Sequence, residues 1–267
     1  TDTIEYQKAD YLVKKPYEGP MIFLDNKAQQ MVTPSHRMVV YQRGDNYQKP
    51  VIRLAEDLKI WDKIKISAAN WVGEDFITPI PGCTPEDFAE TLGWWMAEGS
   101  LNHPYDCSPY RFGVVISQHK YPHKEYLREL LDRMPQAWYE SDYEFSCTHK
   151  AFYNYLQQFG LSRDKFVPDE IKRAGKSVIE AFLRGYFYGD GWDHGKGKAS
   201  ASISKRLTDD IQELMFKIGR PGNVLLRKPR GWSIGERSGI AQDQWWFVES
   251  TTKTAMLRDS ANQSNIR

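Results

Sequence analysis

Cysteine is scarce in this chain: three among 267 residues, Cys83, Cys107 and Cys147, at scattered positions. An odd, unclustered set has neither the pairing of a disulfide framework nor the spacing of a zinc site, so these read as structural thiols. Long apolar runs are lacking as well, which excludes a helix across a bilayer. The first ten residues are polar and acidic, without the basic-then-apolar order of a secretory signal, and an intracellular location is expected. Net charge is close to nil, +1 from 36 Lys and Arg against 35 Asp and Glu. That excludes a protein coating nucleic acid with a uniform positive field. What is present is a globular composition, 40% hydrophobic and 13% aromatic, long enough for one large domain or two ordinary ones.

Charge is nevertheless uneven. From Trp192 to Arg237 there are ten Lys or Arg against five Asp or Glu, among many Gly, Ser and Trp. Such a local excess can follow a phosphate backbone; a solvated basic face is the bland alternative.

Along the chain, MIFLD (Met21 to Asp25), MVTPSHRMVVY (Met31 to Tyr41) and PVIRL (Pro50 to Leu54) read as short strands between turn residues. ITPIPGCTP (Ile77 to Pro85) can continue neither helix nor central strand, and places a boundary near residue 80. Thr84 with Pro85, Glu86 and Asp87 is a helix start: N-cap, proline at the first position, acids in the first turn. One pattern then runs twice. The first copy has helices near 85–97 and 122–134, strands near Tyr105, 113–117 and 138–147, and a closing helix over 149–159. The second has helices near 177–189 and 205–218, a hairpin into 199–203, and strands over 224–227 and 245–249. Leu207, Ile211, Leu214, Met215 and Ile218 keep the spacing of one buried helical face. The last residues, 261–267, are expected to be frayed.

Each copy opens on a matching stretch, TLGWWMAEG (Thr91 to Gly99) and LRGYFYGDG (Leu183 to Gly191), that ends in a carboxylate, Glu98 or Asp190, before a glycine. Gly93 with Ala97, and Gly185 with Gly189, are small residues four apart, marking a helix face that another backbone can approach closely. If the two faces meet, both acids converge. Two carboxylates at two helix C-termini are electrostatically unfavourable alone, so something positive must compensate. One acid is protonated through coupled titration, or divalent cations lie between them. Hard oxygens and helix-end carbonyls suit Mg²⁺, which shares its shell with phosphate, and phosphodiester hydrolysis follows. For one copy alone, a helix ending at its glycine cap is an equally good reading.

On these residues the chain resembles a single-chain LAGLIDADG homing endonuclease of the kind often found in inteins. VVISQ (Val114 to Gln118), KFVPDEI (Lys165 to Ile171) and SISKRLTDDIQELMFKIG (Ser202 to Gly219) extend the match over roughly Pro85 to Glu249. The resemblance implies an α+β fold: a pseudo-twofold pair of αββαββ halves, 84–160 and 161–267, with saddle-shaped antiparallel sheets in the DNA major groove. It implies a monomer that hydrolyses double-stranded DNA at a long pseudo-palindromic site with Mg²⁺, for which Mn²⁺ can substitute, in the cytoplasm or nucleoid of a microbial or phage-infected cell. Glu98 and Asp190 are then the catalytic metal ligands, assisted by the carbonyls of Ala97 and Gly189. Lys228 is the candidate basic residue near the scissile phosphate. No equivalent is evident in the first half, where 138–147 is acidic, so unequal cutting of the two strands is expected. Arg111, Gln118, Lys120, Lys196, Lys198, Arg227 and Arg230 are the expected DNA contacts, Arg and Gln toward base edges and Lys toward phosphate. Trp94 and Trp95 depart from the family's usual aliphatics, and Glu98 from its commoner Asp. A non-cleaving DNA-binding protein and an RNA maturase are the rival readings.

Residues 1–80, with VTPSH at Val32 to His36, resemble a small, mostly β, Hint-like splicing segment. The resemblance implies that Thr33 and His36 polarise an upstream amide, while a turn at Pro34 with a surface histidine is the plain reading. Thr1 stands where splicing wants Cys or Ser, and Ser264 to Arg267 lacks a terminal His-Asn pair. A trimmed or degenerate splicing segment is therefore expected.

Overall fold

The computed structural model describes residues 3–24, 30–59, 61–65, 70–102, 112–195, 197–228, 231–234, 237–240, 243–250 and 254–256. The strand expected near Tyr105, Cys107 and the tail at 261–267 lie outside them. The chain opens on β1 (Thr3–Ile4), β2 (Ile22–Leu24), β3 (Gln30–Val32), β4 (Arg37–Tyr41), β5 (Pro50–Leu54), β6 (Lys63–Lys65) and β7 (Asn70–Trp71). The strand expected over Met31 to Tyr41 is two strands. Pro34 has no amide hydrogen for a ladder, and the chain turns there, His36 N–H donating to Thr33 O at 3.0 Å. β4 lies between β5 and β6, antiparallel to both, and Met38 and Val40 on its inner side join Leu24 and Ala55 in a small core.

Helix α1 (Pro85–Glu98) starts as expected, the Thr84 hydroxyl accepting the Asp87 N–H at 3.1 Å. It leads directly into β8 (Gly99–Leu101), followed by β9 (Gly113–Ser117), α2 (His123–Leu131), β10 (Tyr139–Glu140), β11 (Glu144–Thr148), α3 (Lys150–Leu156) and α4 (Asp169–Arg173). Helix α5 (Lys176–Asp190) leads as directly into β12 (Gly191–Asp193), then β13 (Lys198–Ser202), α6 (Lys205–Lys217) and β14 (Gly222–Arg227). A hairpin the sequence did not announce, β15 (Gly231–Ile234) with β16 (Arg237–Ile240), precedes β17 (Gln244–Glu249) and β18 (Thr254–Met256).

Two four-stranded antiparallel sheets follow the two long helices, ordered β10-β11-β9-β8 and β12-β13-β17-β14. In each, the strand leaving the long helix forms one edge and the next strand lies beside it. The later of the remaining two comes third. Period-two alternation aims Val114, Ile116 and Phe145 of the first sheet, and Phe247 of the second, into one continuous core with both long helices. Trp94 and Trp95 are fully buried there, Trp94 stacked on Tyr188 at 5.8 Å. The bulk of the first signature is thus matched by an aromatic on the second, and truncating either tryptophan would cost about 3–5 kcal/mol.

The first and last parts of the chain also fasten to this body. Trp71 Nε1 donates to Ala174 O at 2.8 Å, and the buried Lys217 ammonium lies 4.4 Å from the ring centres of both Tyr6 and Trp71. β18 pairs with β6, completing the sheet that β4 and β5 begin.

Candidate active site

Helices α1 and α5 cross backbone against backbone because the small residues leave no other spacer. A Cβ built on Gly93 would overlap the carbonyl oxygen of Phe182, and one on Gly185 that of Glu90; Gly189 faces Ala97 with the same tightness. Glu98 Cγ lies 3.1 Å from the Cβ position of Gly189, so the first acid is beside the residue that precedes the second. The following glycines are not left-handed caps: Gly99 and Gly191 both have φ of −95°. They are required because helix passes to strand with no loop, across the backbone of Trp95 or Phe187 one turn earlier. Each helix does end at its acid, the glycine N–H bonding back to Trp95 O or Phe187 O, but in an extended rather than a left-handed conformation.

Both carboxylates are half-buried, and both hold their protons more tightly than free side chains. Burial raises Glu98 despite the opposing charges of Lys120, Lys165 and His119. Burial also lifts Asp190, to about 7, with the Glu98 charge adding to the rise and Lys165 alone opposing it. Asp190 therefore feels the Glu98 charge, as convergence requires.

The compensating cation is Lys165, which sequence reasoning quoted within KFVPDEI without giving it a role. It is 5% exposed, and its ammonium donates to the carbonyls of Trp95, Met96 and Gly99 at 3.0, 3.1 and 2.9 Å. A positive group thus closes the negative end of α1 beneath the two acids. Burial pulls its pKa down to about 8, against the lifting charges of Asp190 and Glu98. Its backbone is clamped: Ser204 Oγ donates to Lys165 O at 2.7 Å while capping α6, and Val167 N–H donates to Asp210 at 2.8 Å. The sequence signal was a lone lysine ahead of an apolar segment before the second signature, together with the need for a positive charge.

Lys228 is exposed beyond β14, and among the described residues the lysines whose charges bear on the acids are Lys165 and Lys120. Gln118, expected to read bases, is 5% exposed; its side-chain oxygen accepts the Lys120 N–H at 2.8 Å and fixes the turn that brings Lys120 toward Glu98. Glu98 is therefore not without a cation of its own stretch nearby. Lys198 shares the pleat side of the buried Ser200, the side toward the helices, whereas Arg227 lies on the open side, 4.8 Å over Trp246. Arg111, Lys196 and Arg230 lie outside the described residues. Thr33 and His36 close a turn with His36 exposed, which is the plain reading.

The open sides of the two sheets differ. The first presents Ser100, Ser117, Glu144, Ser146 and Thr148, with Tyr139 beside a hollow of about 480 Å³. The second presents Trp192 and Trp246, packed edge to face at 5.0 Å, with Gln244 and Arg227.

As a metal site the donor set is sparse. Among the described residues no three Asp, Glu, His or Cys side chains gather. Two carboxylates at helix ends nevertheless fit a hard divalent ion that keeps waters and takes phosphate oxygens.

No family model and no curated protein sequence matches the chain. Solved structures do. The N-terminal LAGLIDADG domain of DUF199/WhiA matches at TM-score 0.40 and 12% identity, over 65% of this chain and 80% of that one. A mesophilic variant of the homing endonuclease I-DmoI matches at 0.46 and 16%, over 62% and 89%. I-DmoI in complex with DNA and Mn matches at 0.42 and 16%, over 61% and 90%.

Proposed function

We propose that this chain is a LAGLIDADG-type, divalent-metal-dependent endonuclease that cuts both strands of a long, imperfectly palindromic DNA site as a monomer. One observation carries the reading. Two glycine-faced helices from one chain meet backbone to backbone, and their terminal acids, Glu98 and Asp190, converge over a buried ammonium. Residues 84–160 and 161–267 are the two halves, related by a pseudo-twofold axis along that helix pair, and the open sheet sides face the groove.

Bound Mg²⁺, or Mn²⁺ in its place, would activate water and stabilise charge on the phosphoryl oxygens. Glu98 and Asp190 would hold it, with the carbonyls of Ala97 and Gly189 within reach. Lys165 keeps the end of α1 from repelling the substrate phosphate, and Lys120 places a second cation on the Glu98 side. Arg227, with Gln244, serves the DNA on the second half. Lys228 and Lys198 retain only general attraction for phosphate.

The test is a supercoiled plasmid carrying the insertion-free host locus, incubated with Mg²⁺. Glu98→Gln and Asp190→Asn should each lower cleavage by about 10² or more; undiminished cutting by either would sink the metal assignment. A non-cleaving DNA-binding reading draws support from Lys165, which already offsets one of the two negative charges without any metal. Gel-shift binding with no Mg²⁺-dependent nicking would favour it. Residues 1–80, read as a degenerate splicing segment, serve here as scaffold, and a ligated host protein from a precursor with native flanks would restore the splicing role of Thr33 and His36.

A further inference from the structure

Outside the helix-pair site, the most deliberately built cluster of exposed side chains is at the tip of the small N-terminal sheet. Two cations there lie on two aromatic rings: Lys63 Nζ is 3.5 Å from the centre of Tyr47, and the Arg43 guanidinium is 5.1 Å from that of Trp61. Trp61 is 47% exposed although it contributes to neither core.

The backing explains why these four groups meet. Arg53, reaching under the tip from β5, bonds the buried Asp62 at 3.2 Å. With the Gln42 amide oriented to satisfy its neighbours, Arg53 also donates to the Gln42 oxygen, at 3.2 Å from Nε and 2.5 Å from Nη2. Asp62 separates Trp61 from Lys63, and Gln42 precedes Arg43, so one buried strut sets both exposed pairs.

The loop is held as firmly. Asn46 and Tyr47 adopt φ of 56° and 63°, a conformation that side chains other than glycine rarely take twice in succession. Asp45 fastens it, Oδ1 accepting the Tyr47 N–H at 3.0 Å and Oδ2 the Lys49 N–H at 3.1 Å. Asp45 and Asp62 are thus engaged in holding the loop and the strut. Arg43 and Lys49 stand outward, and Lys63 is half-buried with its ammonium over the Tyr47 ring. Backbone strain of this kind is retained where surrounding structure serves a purpose.

We propose that this tip is a second nucleic-acid contact, in which Arg43, Lys49 and Lys63 take phosphates of duplex DNA and Trp61 lies against the sugar backbone. Cations steadied on aromatic faces lose little freedom on meeting phosphate, and a tryptophan edge covers the apolar deoxyribose. The contact is independent of sequence, so it adds affinity and leaves base reading to the two large sheets. It rests on the proposed action on DNA, and the experiment separates the two.

The measurement is fluorescence anisotropy of the full chain with a labelled random-sequence duplex, in EDTA, across a salt series. Arg43→Glu/Lys63→Glu should bind about tenfold more weakly, and the slope of log affinity against log salt should shrink by about 2, one per phosphate released. Trp61→Ala should weaken binding severalfold with the slope unchanged. Arg227→Glu, on the second large sheet, is the control, and thermal melting confirms that all variants fold. Loss on Arg227→Glu with neither affinity nor slope changed by Arg43→Glu/Lys63→Glu overturns this inference alone. No binding by the unaltered chain overturns the proposed function with it. Tighter binding of an RNA duplex, with the same losses, would overturn the assignment to DNA.

Discussion

At Asp190, burial and the Glu98 charge lift the carboxyl from the usual aspartate range to about 7. Between about pH 4 and 7 the folded protein therefore keeps a proton that the unfolded chain has released. Stability falls as pH rises through that window and stays lowered above it. Asp190→Asn should accordingly melt higher than the unaltered protein at pH 8 without metal, by on the order of 2 kcal/mol, and the gap should narrow below about pH 7 and close near about pH 4. Mg²⁺ should raise melting of the unaltered protein at pH 8 and leave the variant unmoved. Equal Mg²⁺ responses would show that Asp190 is not a ligand. The same proton competes with metal, so cleavage should decline as pH drops below about 7. Lys165 works in the other direction: Lys165→Met strands three carbonyls and removes the charge that opposes the rise of Asp190. It should cost about 2–4 kcal/mol in urea melts and move the pH midpoint of Mg²⁺ binding upward; a midpoint that stays in place would make Lys165 a structural cap only.

Helices were legible where their signals are local. The Thr84 cap, the apolar stripe of α6 and the small-residue faces of α1 and α5 all depend on neighbours within a few positions. What those faces do was legible too, because only close approach explains glycine in the middle of a helix. Gly93→Ala or Gly185→Ala should force the pair apart, costing about 2–4 kcal/mol and abolishing cleavage through displaced acids. A variant that melts within a degree of the original, yet still cuts, would mean the helices can slide. Lys165 was not assignable from sequence alone because its burial depends on α6: Ser204 and Asp210 hold its segment from across the second half. Gln118 was misread for the same reason, since nothing local distinguishes a glutamine that fixes a turn from one that reads a base. The β4 to β6 sheet was only half visible, because the strand pairing with β6 comes from residues 254–256.

Across the whole molecule the two halves share a strand order but not an electrostatic one. Among the described residues Glu98 has Lys120, His119 and Lys165 around it, while Asp190 has Lys165. The first open sheet side shows hydroxyls and the carboxylate of Glu144, and the second shows tryptophans with an arginine. Lys120→Met should therefore affect the two strands unequally: supercoiled plasmid should accumulate as open circles, with the second cut slowed about tenfold or more. Simultaneous slowing of both cuts would indicate that the site acts as one undivided unit.

The pairing of β18 with β6 orders events during synthesis. β6 leaves the ribosome well before its partner β18 and waits, with one row of amides and carbonyls unmatched, until residues 254–256 have been made. The two signature helices, with far shorter loops to close, can join while that edge still stands open. A nascent chain arrested before residue 254 should then already resist protease across the helix pair, with cuts confined to the first eighty residues; arrest a few residues after 256, once those have cleared the tunnel, should silence them.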